Sequence, residues 1–176
     1  MIRLFILLTM LLCSSCAKRP ILPDTEIEFI SVATGGDSLS WNVRFSSKTD
    51  VLNFFKDATG ETQLGETLFC SLDKELEFEN SDKLTNYFVG NLVEVDADKS
   101  GLDHIYTSRL SAVRKEDEGV SNVFMSAEEL LALLNERNAV SCRVFTSAYS
   151  FGGYYSKSML IPATDLVHVI EQQRVQ

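Results

Sequence analysis

Few of the side chains that usually attack, coordinate or shuttle protons are present in this chain. Its 176 residues hold two His and four Cys against 25 Asp plus Glu. His104 stands beside Asp103, but neighbours on a strand point to opposite faces. His168 sits among Leu166, Val167 and Val169, the setting of a helix face. There is no H-x-x-x-H or H-E-x-x-H pair, and a catalytic zinc needs three protein ligands. No metal site is therefore expected. No G-x-S-x-G elbow and no P-loop is found. Carboxylate pairs could serve a glycosidase, but with 25 acids such pairs arise from abundance alone. Asp96-Ala-Asp98-Lys-Ser100-Gly101-Leu-Asp103 begins like a calcium loop, which wants oxygen ligands at positions 1, 3 and 5, Gly at 6 and Glu at 12. Position 12 is Thr107, position 8 is Asp103, and the flanks read as strands. A solvated turn is expected, with weak calcium binding as the alternative. No cofactor is implied, and the chain reads as a non-enzyme.

Two groups fit recognition better than catalysis. Asp73, Glu75, Glu77, Glu79 and Asp82 form an acidic stretch, with Glu116-Asp117-Glu118 in another loop. Acidic loops on a rigid frame can steer a basic protein partner; a solvated, purely solubilising face is the alternative. Tyr149, Phe151, Tyr154 and Tyr155 surround Gly152-Gly153. Aromatics around a turn resemble a binding hot spot, where Tyr is enriched; core packing of alternate members is the alternative. The candidate partner-binding residues are thus Asp73, Glu75, Glu77, Glu79, Tyr149, Phe151, Tyr154 and Tyr155. The net charge of −9 argues against nucleic acid, which needs a basic footprint.

The elements that would position these groups follow from periodicity. Residues 26–33 alternate Ile27 and Phe29 against Glu26 and Glu28, and Leu39, Trp41, Val43 and Phe45 alternate with polar neighbours. The two strands read as a hairpin around Gly35-Gly36-Asp37. Thr49 or Asp50 caps a short helix that ends at Gly60, and residues 66–72 are a strand. Ser81 or Asp82 caps a predicted helix carrying Leu84, Tyr87 and Phe88, stopped by Gly90. Residues 91–96 and 102–114 form a second hairpin, and 120–125 a further strand. Ser126-Ala-Glu-Glu129 is a capping box that opens a helix over 127–137. Residues 140–149 and 154–161 are strands, Pro162 breaks the last, and Thr164 or Asp165 caps a final helix. This order predicts an α+β single domain: a mainly antiparallel sheet of hairpins with about four short helices on one face.

The N-terminus reads as an address. Met1-Ile2-Arg3 is a basic start, and residues 4–12 are an apolar run too short to span a bilayer, which takes roughly 20 residues. Small residues and Cys16 follow, as in a secretory signal. An ordinary signal cut after Ala17 is the alternative. Cys13-Ser14-Ser15-Cys16 resembles the lipobox of bacterial lipoproteins, with Cys13 where Leu usually stands. The resemblance implies cleavage before Cys16, acylation of Cys16 and, with Ala17 following, an outer-membrane anchor facing the periplasm of a Gram-negative cell. Residues 1–15 are then the signal, 16–25 a lipid-anchored tether and 26–176 the domain. Losing Arg3 takes the net charge from −9 to −10. In that oxidising compartment Cys70 and Cys142 are expected to form a disulfide, with buried free thiols as the alternative.

The function that fits this organisation is a non-enzymatic, membrane-anchored protein-binding module. The pattern Tyr154-Tyr155-Ser156-Lys157-Ser158-Met159, with Ile161-Pro162 and Asp165-Leu166, is similar to immunity lipoproteins that neutralise periplasm-delivered antibacterial toxins. That resemblance implies occlusion of a toxin by the acidic and aromatic loops. The alternatives are an assembly lipoprotein of an envelope machine and a hydrolase with an unrecognised site.

Overall fold

The computed structural model describes residues 22–36, 39–75, 77–95, 103–116, 119, 121–149 and 151–174. Residues 1–21, with Cys16 and the signal, lie outside these, as do most of the 96–103 turn and Asp117-Glu118. In chain order the elements are β1 (Glu28–Thr34), β2 (Trp41–Ser47), α1 (Phe54–Thr59) and β3 (Gln63–Ser71). A single 3-10 turn (Ser81–Lys83) leads to β4 (Asn86–Glu94), β5 (His104–Glu116), β6 (Ser121–Phe124) and α2 (Ala127–Asn135). The chain ends with β7 (Ala139–Ala148), β8 (Gly152–Tyr155), β9 (Met159–Pro162) and α3 (Ala163–Arg174).

Every pairing is antiparallel, in the order β1-β2-β5-β4-β3-β7-β8, with β6 added to β5 and β9 to β7. The outer strands then approach each other. Lys157 N–H, between β8 and β9, donates to Thr25 O at 2.8 Å. Its ammonium pairs with Glu26 at 3.1 Å and Asp24 at 3.7 Å. The sheet therefore nearly closes into a barrel, which leaves little exposed edge.

The alternation read in β2 is realised: Trp41, Val43 and Phe45 are buried. They meet Phe88 and Tyr106 inside, with Trp41 edge-on to Phe88 at 5.6 Å and Phe45 against Tyr106 at 5.5 Å. Helices α2 and α3 lay Leu130, Leu134, Leu166 and Ile170 into the same core. The α2 capping box forms as expected: Ser126 Oγ accepts from Glu129 N–H, and the Glu129 carboxylate accepts from Ser126 N–H. Cys70 and Cys142 are direct partners across β3 and β7, fully buried, and joined by a disulfide.

The first helix starts at Phe54 after Asn53, with no side-chain cap, and the last starts at Ala163, so Thr49, Asp50, Thr164 and Asp165 are not their N-caps. Three larger points also differ from the expectation. Three helices are described rather than four. Helix α1 packs with Ala148, Phe151 and Tyr154 in a cluster separate from the core that α2 and α3 cover. The segment with Leu84, Tyr87 and Phe88 is a 3-10 turn followed by a strand. Phe88 packs inside the barrel while Tyr87 packs outside with Phe78 and Leu84, so burial on both faces imitates helical spacing. Gly90 is not a helix stop: a Cβ there would lie 2.2 Å from Arg109 O, so the close approach of β5 requires glycine. Finally, residues 154–161 are not one strand. β8 and β9 share the same edge of β7 but differ in register by one residue, the mark of a bulge.

Candidate functional site

The acidic stretch that follows β3 is an anchored loop. The Asp73 carboxylate accepts from Thr85 N–H at 2.7 Å, Asn86 N–H at 3.0 Å and the Asn86 amide at 3.1 Å. Arg137 donates to Leu72 O at 2.6 Å and Asp73 O at 3.1 Å. Burial holds the Arg137 guanidinium below its usual value, against the pull of Asp73 and Glu136. Ser71 Oγ donates to Glu75 O at 3.2 Å. At the other end Phe78 is buried, and Arg143 donates to Phe78 O at 2.7 Å. The Tyr155 hydroxyl accepts from Ser81 N–H at 2.9 Å and lies 3.2 Å from Asn80 Oδ1.

Between these anchors Glu75, Glu77 and Glu79 remain exposed. They border a cleft of about 710 Å³ whose other wall carries Lys83, Arg143 and Lys157. Glu79 pairs loosely with Lys83 at 3.6 Å, with both side chains largely in water. Arg143 is fixed more firmly. It donates to Ser156 O at 2.7 Å and stacks over the rings of Tyr155 and Phe78, at 5.2 and 5.9 Å. The side chains that fix the loop are thus Ser71, Asp73, Arg137, Arg143 and Tyr155, and it offers Glu75, Glu77, Glu79 and Asp82 to solvent beside Lys74 and Asn80.

The aromatic candidates divide. Tyr155 joins the acidic loop. Tyr154 stacks on Phe54 at 4.3 Å, accepts from Thr25 N–H at 2.9 Å and donates to Pro23 O at 2.7 Å. Phe151 stacks on Phe55 at 6.1 Å. Only Tyr149 of the four presents most of its surface to solvent, at 91% exposure. Tyr149 follows Ala148, the partner of Gln63, whereas the acidic loop follows Ser71, the partner of Ser141. The length of β3 therefore separates them, about 25 Å at 3.3 Å per residue. The acidic and aromatic groups form two surfaces, not one.

A further ionisable group gathers where β2 and β4 end and β5 begins. His104 Nδ1 lies 2.9 Å from Glu94 Oε1. The Tyr106 hydroxyl accepts from Val51 N–H at 3.1 Å and donates to Asp50 at 3.3 Å. Burial pushes the Tyr106 phenol far above its ordinary value. Burial also pushes Asp50 upward, but hydrogen bonds from the Asn53 amide and from Leu52 and Asn53 N–H outweigh it and leave that carboxyl lowered. Ser47 is the ladder partner of His104, yet its hydroxyl donates to Glu26 O at 3.0 Å and accepts from Thr49 N–H at 3.1 Å. Its proton is not aimed at the imidazole, as a nucleophile's would be. Among the described residues no three His, Cys, Asp or Glu side chains gather as a metal-binding group.

Sequence reasoning missed Arg143, Lys157 and the Glu94–His104 pair. The last was within reach, since a hairpin over residues 91–114 brings positions 94 and 104 together. Arg143 carried no local signal: its partners lie on Phe78 and Ser156. Comparison of the chain with protein-family models, with curated proteins and with solved structures found no match.

Proposed function

We propose that this protein is a lipid-anchored, non-enzymatic binding module whose acidic loop meets a basic face on another protein. Its specific role in this reading is that of an immunity protein, occluding a toxin delivered to the periplasm. Cys16 carries the lipid on the outer membrane. The observation that carries the proposal is the anchoring of the loop on both sides of Glu75, Glu77 and Glu79. The backbone that carries the three exposed carboxylates is bonded at Glu75 O and Phe78 O before any partner arrives, so less ordering entropy is lost on binding than for a free loop. Their charge accelerates encounter with a basic surface and fixes its register. Arg143 and Tyr155 support the loop from below and are positioning residues rather than contacts.

Charge reversal of the three carboxylates tests this. The E75K/E77K/E79K variant keeps the anchors, so its thermal melt is expected to match that of the wild type. Its capture of a basic partner from envelope extract is expected to fall by at least about tenfold, since rim charge governs association. Undiminished capture would remove the acidic loop from the interface.

A further inference from the structure

The chain enters the fold at the end of the barrel that carries α1. There β1, β3 and β5 begin and β2, β4 and β7 end, as the pairs Ser47–His104 and Gln63–Ala148 define. Leu22 packs against the cluster of Phe54, Phe55 and Ala148 at this end. Pro23 and Thr25 are bonded to Tyr154, and Thr25 is fully buried. The last residues of the expected tether thus belong to the folded body. Only the six steps from Cys16 to Leu22 are left to reach the lipid, about 20 Å when extended.

The same end exposes apolar side chains. Tyr149 is 91% exposed and Leu64 44%. Leu64 pairs with Ser147, which puts Tyr149 within diagonal reach of it. Val93 and Val95, at 59% and 37%, stand where β4 ends beside the start of β3. Asp24, Glu26, Glu28, Glu61, Glu94 and Asp103 lie at or near this end with Lys48 and Lys56, so attraction to anionic headgroups does not drive a contact here. The acidic loop lies at the opposite end, beyond Ser71.

We infer that the α1 end, with Tyr149 and Leu64, rests on the bilayer surface and holds the acidic loop pointing away from the membrane. The inference rests on acylation of Cys16. The occupant is the zwitterionic lipid interface, argued from the short reach of the anchor and from where the chain joins the fold. Tyrosine suits that layer, with a ring that leaves water and a hydroxyl that stays wet.

The test uses the full chain, expressed in a Gram-negative host, purified in detergent and reconstituted into vesicles of brominated phosphatidylcholine. Two variants each add one tryptophan, Y149W at the α1 end and F124W at the far end, where Phe124 is 65% exposed and pairs with Val113. The wild type supplies the background, because Trp41 is 1% exposed. The expected result is loss of most of the Y149W emission, with a blue shift, and none of the F124W emission. Vesicle-bound protein that loses F124W emission equally, or keeps Y149W emission, would overturn the docking and leave the anchor intact. Unquenched Y149W together with concentration-dependent dimers would reassign the patch to a second copy and overturn it too. Protein that does not float with the vesicles lacks the anchor, which overturns the lipidation reading and the docking with it.

Discussion

Breaking the Cys70–Cys142 bridge should lower stability by an amount the fold itself sets. The two cysteines are 72 residues apart in sequence and adjacent across β3 and β7. Closing a loop of that length removes denatured-state entropy worth about 4 kcal/mol in the chain-entropy model. Both sulfurs are fully buried in the central core. Reduction also pushes two buried sulfurs apart to non-bonded distance, so a packing cost adds to the loop contribution and about 4 kcal/mol is the lower end of the expected loss. For a domain of this size about 1 kcal/mol moves the melting temperature by about 2–4 °C, so the reduced protein should melt about 10 °C below the oxidised one. The assay takes residues 17–176, reduces them in urea, refolds them with reductant present and compares thermal melts by circular dichroism. A shift under about 2 °C would refute the reasoning, by showing that the barrel already restrains the unfolded chain or that the bridge is not formed.

Three further outcomes follow from named contacts. R143A removes charge-assisted bonds to Phe78 O and Ser156 O and the stacking on Tyr155; it should cost about 3 kcal/mol in urea denaturation, with R143K falling between it and the wild type. Y106F strips the acceptor from the Val51 N–H, a buried bond, and should cost about 1–3 kcal/mol. Because burial raises the Tyr106 phenol above 10.0 in the fold, its contribution is complete below pH 10 and is lost as pH rises further; urea midpoints at pH 8 and 11 should therefore converge in Y106F relative to the wild type. The Glu129 carboxyl, held down to about 2 by the Ser126 N–H and by Arg114, should titrate near that value by NMR; its stabilisation is present above 4.5, the usual carboxyl value, and fades as pH falls through about 2, whereas R114A, which removes the charge-assisted bond and leaves the Ser126 N–H in place, should raise that titration part of the way back.

Much of the frame was legible because it is written in local patterns. The alternation of Trp41, Val43 and Phe45 and the Ser126–Glu129 box each need only a few residues to be read. The antiparallel arrangement followed from hairpins in sequence order. What escaped depended on distance in the chain. Tyr87 and Phe88 looked helical because the strand that bears them is buried on both faces, which no single-face template anticipates. The closure of the barrel rests on Thr25 and Lys157, and the anchoring of the acidic loop on Arg143 and Tyr155. From sequence, Asp73 and Glu77 were equivalent acids. In the fold Asp73 is spent on the Thr85 and Asn86 amides, while Glu77 faces water. The aromatic group around Gly152-Gly153 divided for the same reason: three of its rings found partners in segments far along the chain.

The measurement that bears most directly on the central claim is paired affinity capture from envelope extract, with the wild type and E75K/E77K/E79K as baits and mass spectrometry as the readout. The account predicts one dominant basic protein held at 1:1 by the wild type, released by raised salt and absent from the variant. The same proteins on both baits, or a dominant acidic partner, would contradict it.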